Sequence, residues 1–243
     1  MGFFRRNNDG LRHELVGTLR DPTPVTGLPV DVSEFVNAAA GKKFVVIGER
    51  HSDPSIAILV EPFLQADNRV FAETLTRGDY SVKGEALKKN GVYAWNSVKY
   101  DRLVEACIDA GVSIHGIDLT RKEHKEGSSS GLRSAEIEEH RVKSWAEYII
   151  SNMRHNGQNV ILVGALHVNP PDFTSVDLSR INIMLYFPYS VRTNIVAQLV
   201  ASGIAEDDII SIATVKGDGS ASAGIYKTEG PASVKIADFI YKT

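Results

Sequence analysis

At 243 residues the chain has the size of one large domain or two small ones, and its 43% hydrophobic and 23% charged content is that of an ordinary globular protein able to bury its own core. One cysteine, Cys107, excludes a disulfide framework and Cys-ligated zinc or iron–sulfur sites. A net charge of −3 leaves no footprint for nucleic acid or anionic lipid, and no apolar run approaches the roughly 18 residues of a membrane helix.

The amino terminus has Arg5 and Arg6 but no apolar stretch behind them, and Arg6 stands where a myristoylation site needs Ser or Thr. The expectation is a cytoplasmic protein with no membrane or nucleic-acid partner. Residues 1–30, broken by Pro22, Pro24, Gly27 and Pro29, read as an extended lead-in, and 31–243 as a single domain. A short helix opens at Asp31 or Ser33 and stops at Gly41. Residues 43–48 (KFVVIG) read as a strand buried on both faces. A helical stretch over 54–65 precedes a second strand at 68–74 (NRVFAET). A helix at 97–110 leads to a third strand at 112–119 (VSIHGIDL). A hydrophilic insert, 121–134, precedes a long helix over 135–155 and a fourth strand at 159–164 (NVILVG). A fifth strand at 181–187, a helix at 191–202, a sixth strand at 209–215 and an edge strand at 233–241 complete the pattern. Strands alternating with helices predict an α/β fold with a mostly parallel central sheet and helices on both faces.

Ligand crevices in such folds lie at the carboxyl ends of the strands. The polar residues fall there: Glu49, Arg50 and His51 after the first strand, Glu73 within the second, Asp118, Arg121 and His124 after the third, His167 after the fourth. A Gly-x-x-His pattern occurs twice, at 48–51 and 164–167, each time directly behind an apolar run. Glycine is expected to let the backbone turn sharply, so that the histidine three residues on enters the crevice. Two imidazoles with Glu49 and Glu73 could bind a divalent metal, or one imidazole could deprotonate a water while a carboxylate holds its tautomer. Equally, the histidines could cap backbone groups at helix starts; spacing alone leaves these open.

On the long helix, Arg141 shares a face with Ile137, Trp145, Tyr148 and Ile149. A core-facing arginine needs carboxylates or a bound anion, which points to Glu73, Asp118 or a substrate oxygen. Residues 127–131 (GSSSG) match G-x-S-x-G but follow Lys125 and Glu126 rather than a strand, and read as linker. Residues 217–219 (GDG) read as a turn between strands, and His115 and Cys107 read as core residues.

The run Val46-Ile47-Gly48-Glu49-Arg50-His51 resembles the opening motif of the Tiki/TraB, erythromycin-esterase and ChaN-like superfamily. Glu73 is similar to that family's second-strand glutamate, and residues 163–168 (VGALHV) to its second Gly-x-x-His motif. The stretch 141–149 resembles its Arg-x-x-x-Met-Ala-x-x-Ile helix, with Trp145 in place of Met and Val142 where an acid or Asn is usual. The terminal stretch 237–241 (ADFIY) is similar too, so the likeness spans 43–241 in order. The residues after His167, Val168-Asn169-Pro170-Pro171-Asp172, lack the glycine-rich continuation of Tiki/TraB members, which bears on the metalloprotease version more than on the fold.

The resemblance implies a hydrolase of ester, lactone or peptide bonds acting on a small-molecule or peptide substrate. His51 would be the general base or a metal ligand, oriented by Glu49 or Glu73, with His167 and Arg141 holding the oxyanion and Asp118 tuning their charge. Arg50, Arg121 and His124 would bind substrate, and the 121–134 insert would act as a lid. If a divalent metal (Mn, Co or Zn) is bound, it would sit among His51, His167, Glu49 and Glu73. Other members bind haem, and related domains occur in bacterial toxins, so a non-catalytic ligand-binding module and a toxin or effector domain are the alternatives.

Overall fold

The computed structural model describes residues 29–49, 56–81, 83, 97–120, 122–123, 134–168, 194–215, 224–228 and 237–242. Helix α1 (Val32–Ala39) begins where Asp31 accepts the Ser33 N–H at 2.8 Å, and the chain leaves it through Gly41 at φ +80°. Strand β1 (Phe44–Glu49) follows, fully buried. The helical stretch expected over 54–65 divides into α2 (Ile56–Val60) and a 3-10 turn (Glu61–Phe63), because Pro62 cannot donate to a continuing α-helix. Then come β2 (Arg69–Thr76), β3 (Gly78–Tyr80), α3 (Ser97–Asp109), β4 (Ser113–Asp118), α4 (Ser134–Asn152) and β5 (Asn159–Gly164). A 3-10 turn (Ala165–His167) closes β5. Helix α5 (Ile195–Ala201), capped by Asn194, and strands β6 (Ile209–Val215), β7 (Gly224–Lys227) and β8 (Phe239–Lys242) complete the described chain.

The strands form one sheet in the order β3-β4-β2-β5-β1-β6-β8-β7. The six inner strands run parallel, and the short edges β3 and β7 are antiparallel. The terminal strand, expected at an edge, is therefore an inner strand covered by β7. Val30 forms an antiparallel bridge to Ile225, so the end of the lead-in lies against β7. Two apolar layers flank the sheet. Phe35, Leu59, Phe63, Val104 and Cys107 pack beneath α1, α2 and α3. Val142, Trp145, Ile149, Ile195 and Leu199 pack on the other face beneath α4 and α5. Burial pushes the Cys107 thiol up to about 12, which suits a small core residue rather than a nucleophile. No helix among the described residues is long and apolar enough to cross a membrane.

Strand β2 departs from a regular ladder. It pairs with β5 as far as Ala72 and with β4 at Ala72↔Gly116, then resumes only at Thr76↔Asp118. A Cβ at Gly116 would meet the carbonyl oxygens of Thr76 and Leu75 at 2.1 and 2.6 Å, so only glycine lets the chain cross β4 there to reach β3.

Candidate functional site

The two Gly-x-x-His motifs begin on adjacent strands: Gly48 pairs with Val163, and Glu49 with Gly164. The next described helix after β1, α2, packs on one face, while Val168 and the next described helix after β5, α5, pack on the other. Their carboxyl ends thus form a topological switch point, where parallel sheets place their ligand crevice. Neither motif glycine has a positive φ, so the sharp turn expected of them is not their role. A Cβ at Gly48 would lie 2.4 Å from Val168 Cγ2 and 2.9 Å from Ala165 Cα. The first motif's glycine makes room for the turn of the second.

Glu73 is the hub. It lies beyond the last β2–β5 pair, buried, and its Oε2 accepts the Gly164 N–H at 2.6 Å. A side chain thus replaces the ladder bond that β2 no longer supplies. Its Oε1 accepts from Arg141 Nη2 at 3.0 Å and faces His167 Nε2 at 3.8 Å. Arg141 Nε donates to Asp118 Oδ1 at 2.7 Å, and the same oxygen accepts the Leu119 N–H at 2.9 Å. The guanidinium, 15% exposed, therefore clamps two carboxylates that are themselves buried. A buried ion pair nets little against desolvation, but three charges held by directed hydrogen bonds are costly to separate.

Trp145 sits between the cation and the imidazole. Arg141 Cζ lies 4.5 Å over its ring, and the His167 ring meets it edge-on with centroids 5.1 Å apart. The Trp145 Nε1 is buried with no hydrogen-bond partner among the described residues. Its spacing of four from Arg141 on one helix was the sequence signal for this stacking.

Glu73, Asp118, Arg141 and His167 are thus brought together. Glu49 is buried at the end of β1, but strand alternation puts it with Val45 and Ile47 on the opposite face from Glu73. Arg50, His51, Arg121, His124, the 127–131 stretch, most of the 121–134 insert, the 181–187 strand and the 217–219 turn lie outside the described residues. Among the described residues no group of three His, Cys, Asp or Glu side chains could hold a metal ion. Both oxygens of Glu73 already accept N–H donors, which fits a metal ligand poorly.

Arg77 was not anticipated. Its N–H donates to the Asp118 carbonyl at 2.8 Å, and Nη2 donates to Ser144 Oγ at 2.6 Å. Nη1 stands 3.7 Å from Glu123, and the guanidinium lies over the Tyr148 ring at 5.2 Å. Only its place just past Glu73 hinted that it would reach the rim. Deeper under α4, His115 Nδ1 is 3.3 Å from Tyr148 Oη, and its Nε2 is 4.0 Å from Asp79. Burial, then Arg69, lowers the His115 pKa, with Asp79 opposing; burial raises that of Tyr148.

The sequence matches no family model and no curated protein. Among solved structures the chain is similar to ChaN of Campylobacter jejuni, described by its cofacial haem binding, with a TM-score of 0.49 at 12% identity over 88% of this chain and 93% of that one. It is similar to RRSP, a MARTX toxin effector domain from Vibrio vulnificus, with a TM-score of 0.43 at 12% identity over 98% of this chain and 43% of that one. A structure described as bacterial protein toxins gives 0.42 at 13% identity, over 93% of this chain and 42% of that one.

Proposed function

We propose that the chain is a hydrolase of ester, lactone or peptide bonds, of the Tiki and erythromycin-esterase kind its motifs resemble. The observation that supports this most is the pairing of β1 and β5, the strands carrying the two motifs, beside a buried Arg141–Glu73–Asp118–His167 group. In this reading His51 takes the proton of an attacking water at the crevice. Arg141 and His167, held by Glu73 and Asp118, oppose the charge that develops on the substrate oxygen. Trp145 keeps the guanidinium and imidazole in register. Arg50, Arg121 and His124 contact the substrate in this scheme.

The test is turnover of a panel containing a p-nitrophenyl ester, a macrolactone and a short peptide. His51→Ala is expected to lower the rate by about 10²- to 10⁴-fold with an unchanged melting temperature. Unchanged hydrolysis in that variant sinks the mechanism. Chelator sensitivity with about one equivalent of Mn, Co or Zn by elemental analysis would replace the water-activating imidazole by a metal. No turnover, with a haem absorption band lost in His51 and His167 variants, would favour a binding module instead.

A further inference from the structure

A second charged group lies at the opposite end of α4 from the rim. Arg69 opens β2 directly opposite Ser113, the first residue of β4. Arg154, two residues past α4, donates from Nη2 to Ser113 Oγ at 3.3 Å. Arg154 thus bonds the residue that neighbours Arg69 across the sheet, and it acts on Arg69 as a like charge. Arg69 Nη1 donates to the carbonyl of Asn152, the last residue of α4. Its Nε is buried and has no hydrogen-bond partner among the described residues.

Among the described residues the compensation for these cations is incomplete. Among the described residues no carboxylate lies within ion-pair distance of Arg69 or Arg154. The carboxyl end of α4 supplies only about half a negative charge. Asp79 is 60% exposed, stands 4.0 Å from His115 and acts on Arg69 only through space. Burial and the two arginines hold the His115 pKa low, and burial holds that of Tyr148 high, so neither ring carries a charge near neutrality. A water could meet the orphan Nε, but it would not relieve two adjacent positive charges. Arg154 is exposed, so the pair is open to solvent.

We infer that Arg69 and Arg154, with Ser113 between them, form a binding site for a phosphate-class oxyanion at the amino ends of β2 and β4. Guanidinium forks match a tetrahedral dianion in both charge and donor geometry. The group could arrive as free phosphate or on a phosphomonoester, and both use the same contacts.

The experiment titrates the full chain with inorganic phosphate and, separately, phenyl phosphate, against chloride at matched ionic strength. The readouts are melting temperature and the NMR titration of His115, which faces Arg69, Arg154, Asp79 and Tyr148. Binding is expected to be saturable, to raise the melting temperature and to move the His115 pKa upward, because the anion offsets the two arginines. Arg154→Gln changes an exposed side chain and is expected to weaken binding about ten- to a hundred-fold, the loss of one charge-assisted contact. Arg69→Met is expected to do the same. Tighter binding of phenyl phosphate identifies a phosphomonoester site, and equal or weaker binding a free-phosphate site. An absent or unsaturable effect, or an equal one in wild type and Arg154→Gln, overturns the proposal.

Discussion

Helix α4 handles arginine in opposite ways at the rim and at its carboxyl end. At the rim one guanidinium, Arg141, is held by two carboxylates and stacked on an indole. At the far end Arg154 donates to Ser113 and Arg69 to the Asn152 carbonyl, and among the described residues no carboxylate lies within ion-pair distance of either. The rim is built to keep acids and a cation in fixed relation whether or not anything is bound. The far end holds charge in excess, and a visiting anion can relieve it. Preorganisation of charge is what a reaction centre needs, whereas unmet charge is what a ligand site offers.

Several experiments would break or sharpen this contrast. The largest effect is expected from Arg141→Ala, which leaves Glu73 and Asp118 buried without their cation. It should cost about 3–5 kcal/mol in urea unfolding, and an equally large loss from Arg154→Ala would erase the distinction between the two ends. Gly48→Ala forces Val168 and Ala165 away from β1 and should cost about 1–3 kcal/mol. It should also lower turnover by moving the His167 turn, and a fully active, equally stable variant would deny that turn a role. The smallest effect concerns pH. The folded His115 pKa lies below its ordinary 6.5, so the unfolded chain protonates first. Stability conferred by neutral His115 is therefore lost as pH falls through the ordinary histidine range, and the loss levels off below the folded pKa. His115→Gln should flatten that part of the pH profile of the urea midpoint, and an unchanged slope would place His115 in a more solvated setting.

How much was legible in the sequence depended on burial. The runs FVVI, NVILVG and IISIATV predict strands to within a residue because β1, β5 and β6 lie in the middle of the sheet between two helical layers. The edges β3 and β7 went unread, since three or four residues starting at glycine carry no usable alternation. Missing β7 is also why the terminal strand looked like an edge. At the site, Glu73 and Arg141 stood out because charge inside an apolar pattern demands a partner, and each proved to be the other's. Geometry that depends on irregular backbone did not stand out. Arg77 reaches Ser144 and Tyr148 only because β2 leaves its ladder, and no spacing rule encodes that departure.

That departure has a consequence for how the strand tolerates length change. Between the pairs Ala72↔Gly116 and Thr76↔Asp118, β2 advances four residues while β4 advances two. Phe71 and Glu73 lie under α4, whereas Ala72 and Leu75, three residues apart, both serve the opposite core, so the in–out alternation shifts by one residue within 73–75. Deleting two residues there would remove the slack that carries the chain over Gly116. The segment is therefore expected to be sensitive to a change in its length as well as to loss of Glu73 or of the buried Leu75.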